Sequence, residues 1–270
     1  MRCLRAVTPQ YRVNTTHTWG EVTVHLSEPR WPEIDGVLLD RVEVFRSGKL
    51  VWSSSIENPS AGVLVGAEPS ETPSAVWVRE HQGGSGGYTT TSVFHTAAPG
   101  QFTPAVVLSD GYFEGDTWVQ RDLIYRYWIT SGAGSPVPEL VGRWTEDHVS
   151  FSSPSDTAPR RAGPDRTTLD GILRTIRSTE PNATGSEQML SGSLHGFLDL
   201  VYAGQAEEAW RFLDECLAAG LEKLLTSGAV SDLPRSREAL RDMLQRQMAR
   251  SRFHPELLEL NGGSIAPPDR

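Results

Sequence analysis

Arg79, Glu80 and His81 close one alternating stretch and open onto the run Gly83, Gly84, Ser85, Gly86, Gly87. A guanidinium, a carboxyl and an imidazole beside a glycine-rich connection are residue types that acid–base chemistry draws on. With Ser85 and either Asp110 or Asp122, His81 completes the composition of a hydrolytic triad, although a triad is defined by geometry. Glu80 and Asp122 offer a second chemistry, a carboxyl pair across a glycosidic bond. That pair must face one cleft at about 5–5.5 Å or about 6.5–9.5 Å. Asp110, Glu114 and Asp116 put three carboxyls in one glycine-containing stretch. This is calcium-loop material, but it lacks the alternating aspartates of a working loop, so a solvated turn is expected and no cofactor or metal is assigned. Tyr125, Tyr127 and Trp128 follow Asp122 and lead into Ser135, Pro136, Val137 and Pro138. Such an aromatic run fits a binding face or a core strand.

Several chemistries find no motif. GxxxxGK[ST] and HExxH are missing from the sequence, and the letters GxSxG occur only within the glycine run Gly83 to Gly87. The glycine run is followed by Tyr88, Thr89, Thr90, Thr91 and Ser92. These are β-formers, so a phosphate there would lack the helix N-terminus that usually holds it. The seven histidines fall without metal-ligand spacing.

The elements that must position these residues come in two kinds. Short alternating runs recur from Gly20 to Phe151, at Glu21–Leu26, Val37–Phe45, Lys49–Ser53, Gly62–Gly66, Ala75–Arg79, Tyr88–His95, Ala105–Leu108, Thr117–Thr130, Leu140–Trp144 and Val149–Phe151. Alternation with turn signals between runs predicts an all-β domain, a sandwich or propeller-like. Seven of the eight tryptophans lie in it, and core packing is their expected role. Residues 1–19 show no period. Residues 152–166 are rich in proline and serine and read as a linker. The period then becomes helical. Leu169, Ile172, Leu173 and Ile176 form one stripe, and Leu190, Leu194, Phe197, Leu198 and Val201 form another that ends before Gly204. Ala206, Ala209, Trp210, Leu213 and Leu217 make a third, ended by Gly220, and a fourth helix follows Ser236. The sequence thus predicts an α+β chain with segregated parts: an all-β domain over 1–151, a linker over 152–166, a small helical domain over 167–255 and a tail over 256–270.

The chain has 270 residues and a formal net charge of −9. It carries no local excess of lysine and arginine, which argues against nucleic acid and anionic membrane surfaces as partners. An acidic chain does suit masking a basic surface on another protein. No run reaches the roughly 18 apolar residues of a membrane helix, so no membrane insertion is expected. The first residues lack the apolar core of a secretory signal. As written, that places the protein in the cytoplasm, or in the periplasm or at the cell surface if a leader has been removed. Cys3 and Cys216 make no metal spacing and are read as two unrelated thiols.

Three segments carry a resemblance. Val78, Arg79, Glu80, His81, Gln82, Gly83 and Gly84, with Val93 and Phe94, form the first. Asp122, Tyr125, Arg126, Tyr127 and Trp128, with Ser135 to Pro138, form the second. Leu198 to Trp210 form the third. Together they resemble a group of bacterial proteins with FG-GAP-like or VCBS-like, integrin-type repeats and a helical C-terminal segment. The resemblance covers roughly residues 45–145 and 190–250. It implies an interaction platform rather than an enzyme. The calcium loops of that family are replaced by an aspartate-free stretch, Gly66–Ser74, and by the out-of-register Asp110, Glu114 and Asp116. The expectation is a non-catalytic binding protein with a protein partner or an envelope glycan as ligand, recognised through Arg79, Glu80, His81, Asp122, Tyr125, Tyr127 and Trp128. The alternative is a carboxylate-dependent hydrolase of a cell-wall or glycan substrate.

Overall fold

The computed structural model describes residues 11–29, 40–56, 63–67, 75–81, 88–95, 106–114, 117–131, 134–144, 149–151, 161–180, 182–227 and 233–268. Three antiparallel four-stranded sheets occupy the N-terminal part and helices follow. The strands are β1 (Tyr11–Trp19), β2 (Val22–Pro29), β3 (Asp40–Arg46), β4 (Lys49–Ile56), β5 (Val63–Ala67), β6 (Ala75–His81), β7 (Thr89–His95), β8 (Val106–Ser109), β9 (Gly111–Glu114), β10 (Thr117–Arg121), β11 (Glu139–Trp144) and β12 (Val149–Phe151). Their orders are β1-β2-β3-β4, β5-β6-β7-β8 and β12-β11-β10-β9. Residues 1–116 with 146–148 form one compact unit; residues 117–145 with 149–270 form another.

In the first unit two sheets share one core. Val22 and Val24 on β2, Val42 and Val44 on β3, Val76 and Val78 on β6 and Phe94 on β7 are all fully buried in it. Every second residue points inward, so each strand contributes one apolar face. Trp52 meets Phe94 edge-on at 5.3 Å between ring centres. The packing is therefore that of a sandwich. The strand over Tyr11–Trp19 falls where the sequence shows no period. It is an edge strand, and Thr15, Thr16 and Thr18 are exposed on it. Its ladder with β2 supplies the order that an apolar stripe would otherwise signal.

Among its described residues the second unit contains six helices: α1 (Arg166–Ser178), α2 (Ala183–Tyr202), α3 (Ala206–Cys216), α4 (Glu222–Ser227), α5 (Arg237–Ala249) and α6 (His254–Leu260). Leu169, Leu173 and Ile176 of α1 are buried with Phe197, Trp210, Leu213, Leu244 and Leu257 in one core. Tyr125 and Leu140, from the β-rich stretch, belong to the same core. Gly204 turns the chain between α2 and α3 at φ 79° and approaches Leu260, whose carbonyl lies 2.9 Å from where a Cβ would stand. Only glycine takes that conformation without cost.

Two local expectations change. The run Thr117–Thr130 is extended only to Arg121, because Asp122 caps a single 3₁₀ turn over Leu123–Tyr125. Gly220 breaks the helical backbone as expected: it lies at φ 150° in the kink between α3 and α4. The expected tail is partly ordered: α6 spans His254–Leu260, Ile265 is buried, and Trp210 Nε1–H donates to the Ile265 carbonyl at 3.0 Å.

Two glycines make opposite predictions. Gly171 lies inside α1 with nothing closer to its missing Cβ than Arg174 at 3.9 Å. Gly171→Ala should raise stability by about 0.5–1 kcal/mol through helix propensity. Gly196 lies inside α2, and a Cβ there would stand 2.5 Å from Phe212. Gly196→Ala should lose stability, since overpacking costs about 1–3 kcal/mol and outweighs that gain. Urea unfolding followed by the helical circular-dichroism signal checks both signs.

Candidate functional site

The residues singled out from the sequence divide between the two compact units. In the first, Arg79 and Glu80 pair across the ladder with Thr91 and Thr90, and His81 ends the strand opposite Thr89. The Arg79 guanidinium lies over the Tyr112 ring at 5.7 Å. The glycine run and Ser85 lie outside the described residues, as do Asp116 and Cys3. Asp110 sits in a left-handed turn at φ 61°, and Glu114 ends β9. Four residues of extended chain separate them by about 13 Å. Among the described residues no three His, Cys, Asp or Glu side chains converge on a possible metal.

In the second unit Asp122 is 4% exposed and works as an acceptor. Its Oδ1 takes the Ile124 N–H at 3.1 Å. Its Oδ2 takes the Tyr202 hydroxyl and the Ser251 hydroxyl, each at 2.5 Å. Tyr125 OH lies 3.3 Å from Tyr202 OH. Gln247 Nε2 donates to the Ile124 carbonyl at 2.8 Å. One short turn is thereby tied to the C-terminus of α2, to the end of α5 and to the residue just beyond it. Burial holds the Tyr125 phenol well above its ordinary pKa, and burial does the same for Tyr202, with Tyr125 and Asp122 adding to it. Trp128 packs edge-on against Tyr125 at 6.1 Å. Tyr127 alone of the four is exposed; it lies at φ 57°, and its N–H donates to Ser135 Oγ at 2.8 Å. Three of these four side chains therefore frame the unit.

Tyr202, held by Asp122, also lines a cleft of about 510 Å³ together with Val137, Glu139, Arg161, Ala162, Pro164 and Asp199. Each wall has a local cause. Pro136 and Pro138 stiffen the lead into β11, where Glu139 is the first residue. Asp199 and Tyr202 stand three apart on α2 and so share a face. The segment 161–164 is held at its C-terminal end and at Gly163. Asp165 caps α1 by accepting the Thr168 N–H at 2.8 Å, and Gly163 fits so closely that a Cβ would stand 2.1 Å from Gln205.

Arg161 donates to Glu139 at 2.5 Å, and their side chains are 45% and 21% exposed. An ion pair open to solvent in this way is worth about 1 kcal/mol or less. Asp199 has no ion pair among the described residues. Its carboxyl reaches water at the cleft mouth, yet the protein packed around it raises its pKa. His195 opposes that rise, Glu139 adds to it and Arg161 opposes it. Behind Arg161 and Tyr202 is a hollow of about 10 Å³ that Glu256 also lines, and Glu256 Oε2 is buried without a hydrogen-bond partner among the described residues.

The chain matches no protein-family model, no curated protein and no solved structure. The likeness to FG-GAP-like and VCBS-like proteins therefore rests on its residue patterns alone, and the cleft has to be read from its own chemistry.

Ser191, His195 and Asp199 stand at successive i, i+4 positions on α2, which looks like a nucleophile, a base and an orienting acid. The hydrogen bonds say otherwise. His195 Nδ1 lies 2.8 Å from the Ser191 carbonyl, which can only accept, so Nδ1 carries the proton. Ser191 Oγ, 3.4 Å from that same nitrogen, meets a donor rather than a base. Sequence reasoning passed over Glu139, Arg161, Asp199 and Tyr202. The available signal was a polar pair, His195 and Asp199, on the otherwise largely non-polar C-terminal half of α2.

Two outcomes follow from the Asp122 network. Asp122→Ala should cost about 3 kcal/mol, because it strands two buried hydroxyl donors, and Tyr202→Phe about 1–2 kcal/mol. Raised phenol pKa values also fix an alkaline limit. Below the ordinary tyrosine value of 10.0 both folded and unfolded chains are protonated and the contribution is complete. Above it the unfolded chain releases protons that the folded chain keeps, so stability falls. Urea midpoints measured between about pH 9 and 11 should drop, and less steeply in Tyr125→Phe.

Proposed function

We propose that the protein is a non-catalytic binding protein that takes up a segment of a partner protein in the cleft between Glu139, Arg161, Asp199 and Tyr202. The observation that carries this reading is the cleft's division of labour. Tyr202 is locked by Asp122, Glu139 starts a strand, and Asp199 is left accessible with no ion pair among the described residues. Preorganised polar groups on rigid elements, set among apolar neighbours, favour recognition. The two catalytic candidates gain nothing from the geometry. Asp122 is buried and occupied by donors, which removes it from an acid/base pair with Glu80. His195 presents the wrong ring nitrogen to Ser191. No helix among the described residues is long and apolar enough to cross a membrane.

The test uses the full chain against arrays of short peptides and of envelope glycans, with the Asp199→Asn variant in parallel. Peptides that bind should lose at least about tenfold in affinity on that change, as expected for a charged contact. Glycan binding that depends on Asp199 would overturn the choice of partner. Cleavage of a glycan or peptide, detected by mass spectrometry and abolished in Glu139→Gln, would overturn the non-catalytic reading itself.

A further inference from the structure

Asn261 clasps three helices of the second unit. Its Nδ2 donates to the Val201 carbonyl at 2.9 Å and to the Leu257 carbonyl at 2.8 Å, and its Oδ1 accepts the Ala206 N–H at 2.8 Å. One amide thereby joins the C-terminus of α2, the N-terminus of α3 and the last turn of α6. A primary amide suits this place because it offers two donors and an acceptor together. The next residue gives that amide a second chemistry. Of the four asparagines, Asn14, Asn58, Asn182 and Asn261, only Asn261 precedes a glycine. With no Cβ to hinder it, a glycine in a pliant chain can bring its nitrogen onto the preceding side-chain carbonyl carbon. The fold prevents this here. The ring closes only when the Gly262 nitrogen turns to the side of the Asn261 Cβ, whereas at ψ 24° it lies on the side of the Asn261 nitrogen. The Gly262 N–H is also engaged, donating to the Glu259 carbonyl at 3.2 Å. The Asn261 side chain would have to leave its three hydrogen bonds before its Cγ could meet that nitrogen.

We infer that Asn261 is a deamidation site that the folded chain shields and an opened chain exposes. In the opened chain the Gly262 nitrogen bonds to the Asn261 Cγ. The Cγ–Nδ2 bond breaks, and ammonia leaves with the proton that the attacking nitrogen gave up. Water then opens the cyclic imide at either carbonyl, giving aspartate or isoaspartate at 261. Nothing is oxidised or reduced, and water is the only reactant besides the chain. The product cannot rebuild the clasp. A carboxylate has no donor for the Val201 and Leu257 carbonyls, so an oxygen faces two oxygens. It keeps the contact with Ala206, and its charge suits the start of α3, but it also stands at the end of α2, where the helix dipole opposes it. Isoaspartate further lengthens the backbone by one carbon where α6 ends. The part that loses its mooring is α6 with the residues after it, which bury Leu257, Leu260 and Ile265 and accept the Trp210 indole N–H. A molecule that has once been open long enough is thereby marked, and its C-terminal helix stays loosened afterwards.

The experiment incubates the full chain in mildly alkaline buffer, native in one arm and held unfolded by guanidinium chloride in the other. Peptide mass spectrometry follows conversion of Asn261 with time. The native chain should convert at least about tenfold more slowly than the unfolded one, since only opened molecules react. Equal rates in the two arms would falsify the shielding. Gly262→Ala should slow conversion in the unfolded arm, where any effect of that change on folding is irrelevant. An unchanged rate there would overturn attack by the Gly262 nitrogen. The consequence is tested separately with Asn261→Asp, compared with the parent chain by urea unfolding and by hydrogen exchange. Its urea midpoint should fall, and amide exchange in α6 should quicken more than in α1. A midpoint and an α6 exchange rate equal to those of the parent chain would overturn the clasp. A variant too unstable to purify folded supports it, provided that Gly171→Ala, introduced alongside, restores a folded chain in which α6 still exchanges faster.

Discussion

A single buried acceptor organises the second unit. Asp122 draws donors from its own turn, from the last residue of α2 and from Ser251 beyond α5. The two hydroxyl donors are far off in sequence, as Tyr202 and Ser251 lie 80 and 129 residues away. A carboxyl group out of water is tolerable only when its oxygens are satisfied. Once satisfied, it fixes where the strand ends, how the 3₁₀ turn runs and which way Tyr202 faces. Tyr202 then forms one wall of the cleft. The chain that carries Asp122 is thus committed to the helices, and Tyr125 and Leu140 complete a core that is otherwise helical.

Much of the architecture was legible because it repeats. Val22 with Val24, Val42 with Val44 and Val76 with Val78 announce buried strand faces by alternation alone. Leu169, Leu173 and Ile176 announce α1 in the same way. Signals that do not repeat were missed. The strand over Tyr11–Trp19 has exposed threonines and is held by its backbone ladder, so no apolar stripe marks it. Asp122 was singled out for chemistry, yet its environment is made by residues far along the chain. Glu139, Arg161 and Asp199 come from a strand, a coil and a helix, and each is unremarkable where it stands. Charged side chains that meet only through the fold leave little trace in local spacing.

The cleft and the buried network sit back to back and use opposite electrostatic solutions. Behind Tyr202 each polar atom of Asp122 has a close partner and the geometry is closed. In front of it Asp199 faces water and Arg161 pairs with Glu139 close to solvent. The buried thiol of Cys216 belongs to the closed side, since burial pushes its pKa up to about 12 and leaves it inert. Rigidity and availability are thereby separated by the thickness of one tyrosine ring.

That separation has a consequence for how such a site can change over generations. Glu139 and Tyr202 are anchored in a strand and in the buried network, so replacing them disturbs folding as well as the cleft wall. Arg161, Ala162 and Pro164 stand in coil and contribute no ladder or helix hydrogen bonds; only Gly163 between them is held by close packing. Drift is cheapest in such segments. The lining of the cleft can change by exchange of three coil residues while its frame is kept. The surface of the cleft would then change faster than the fold.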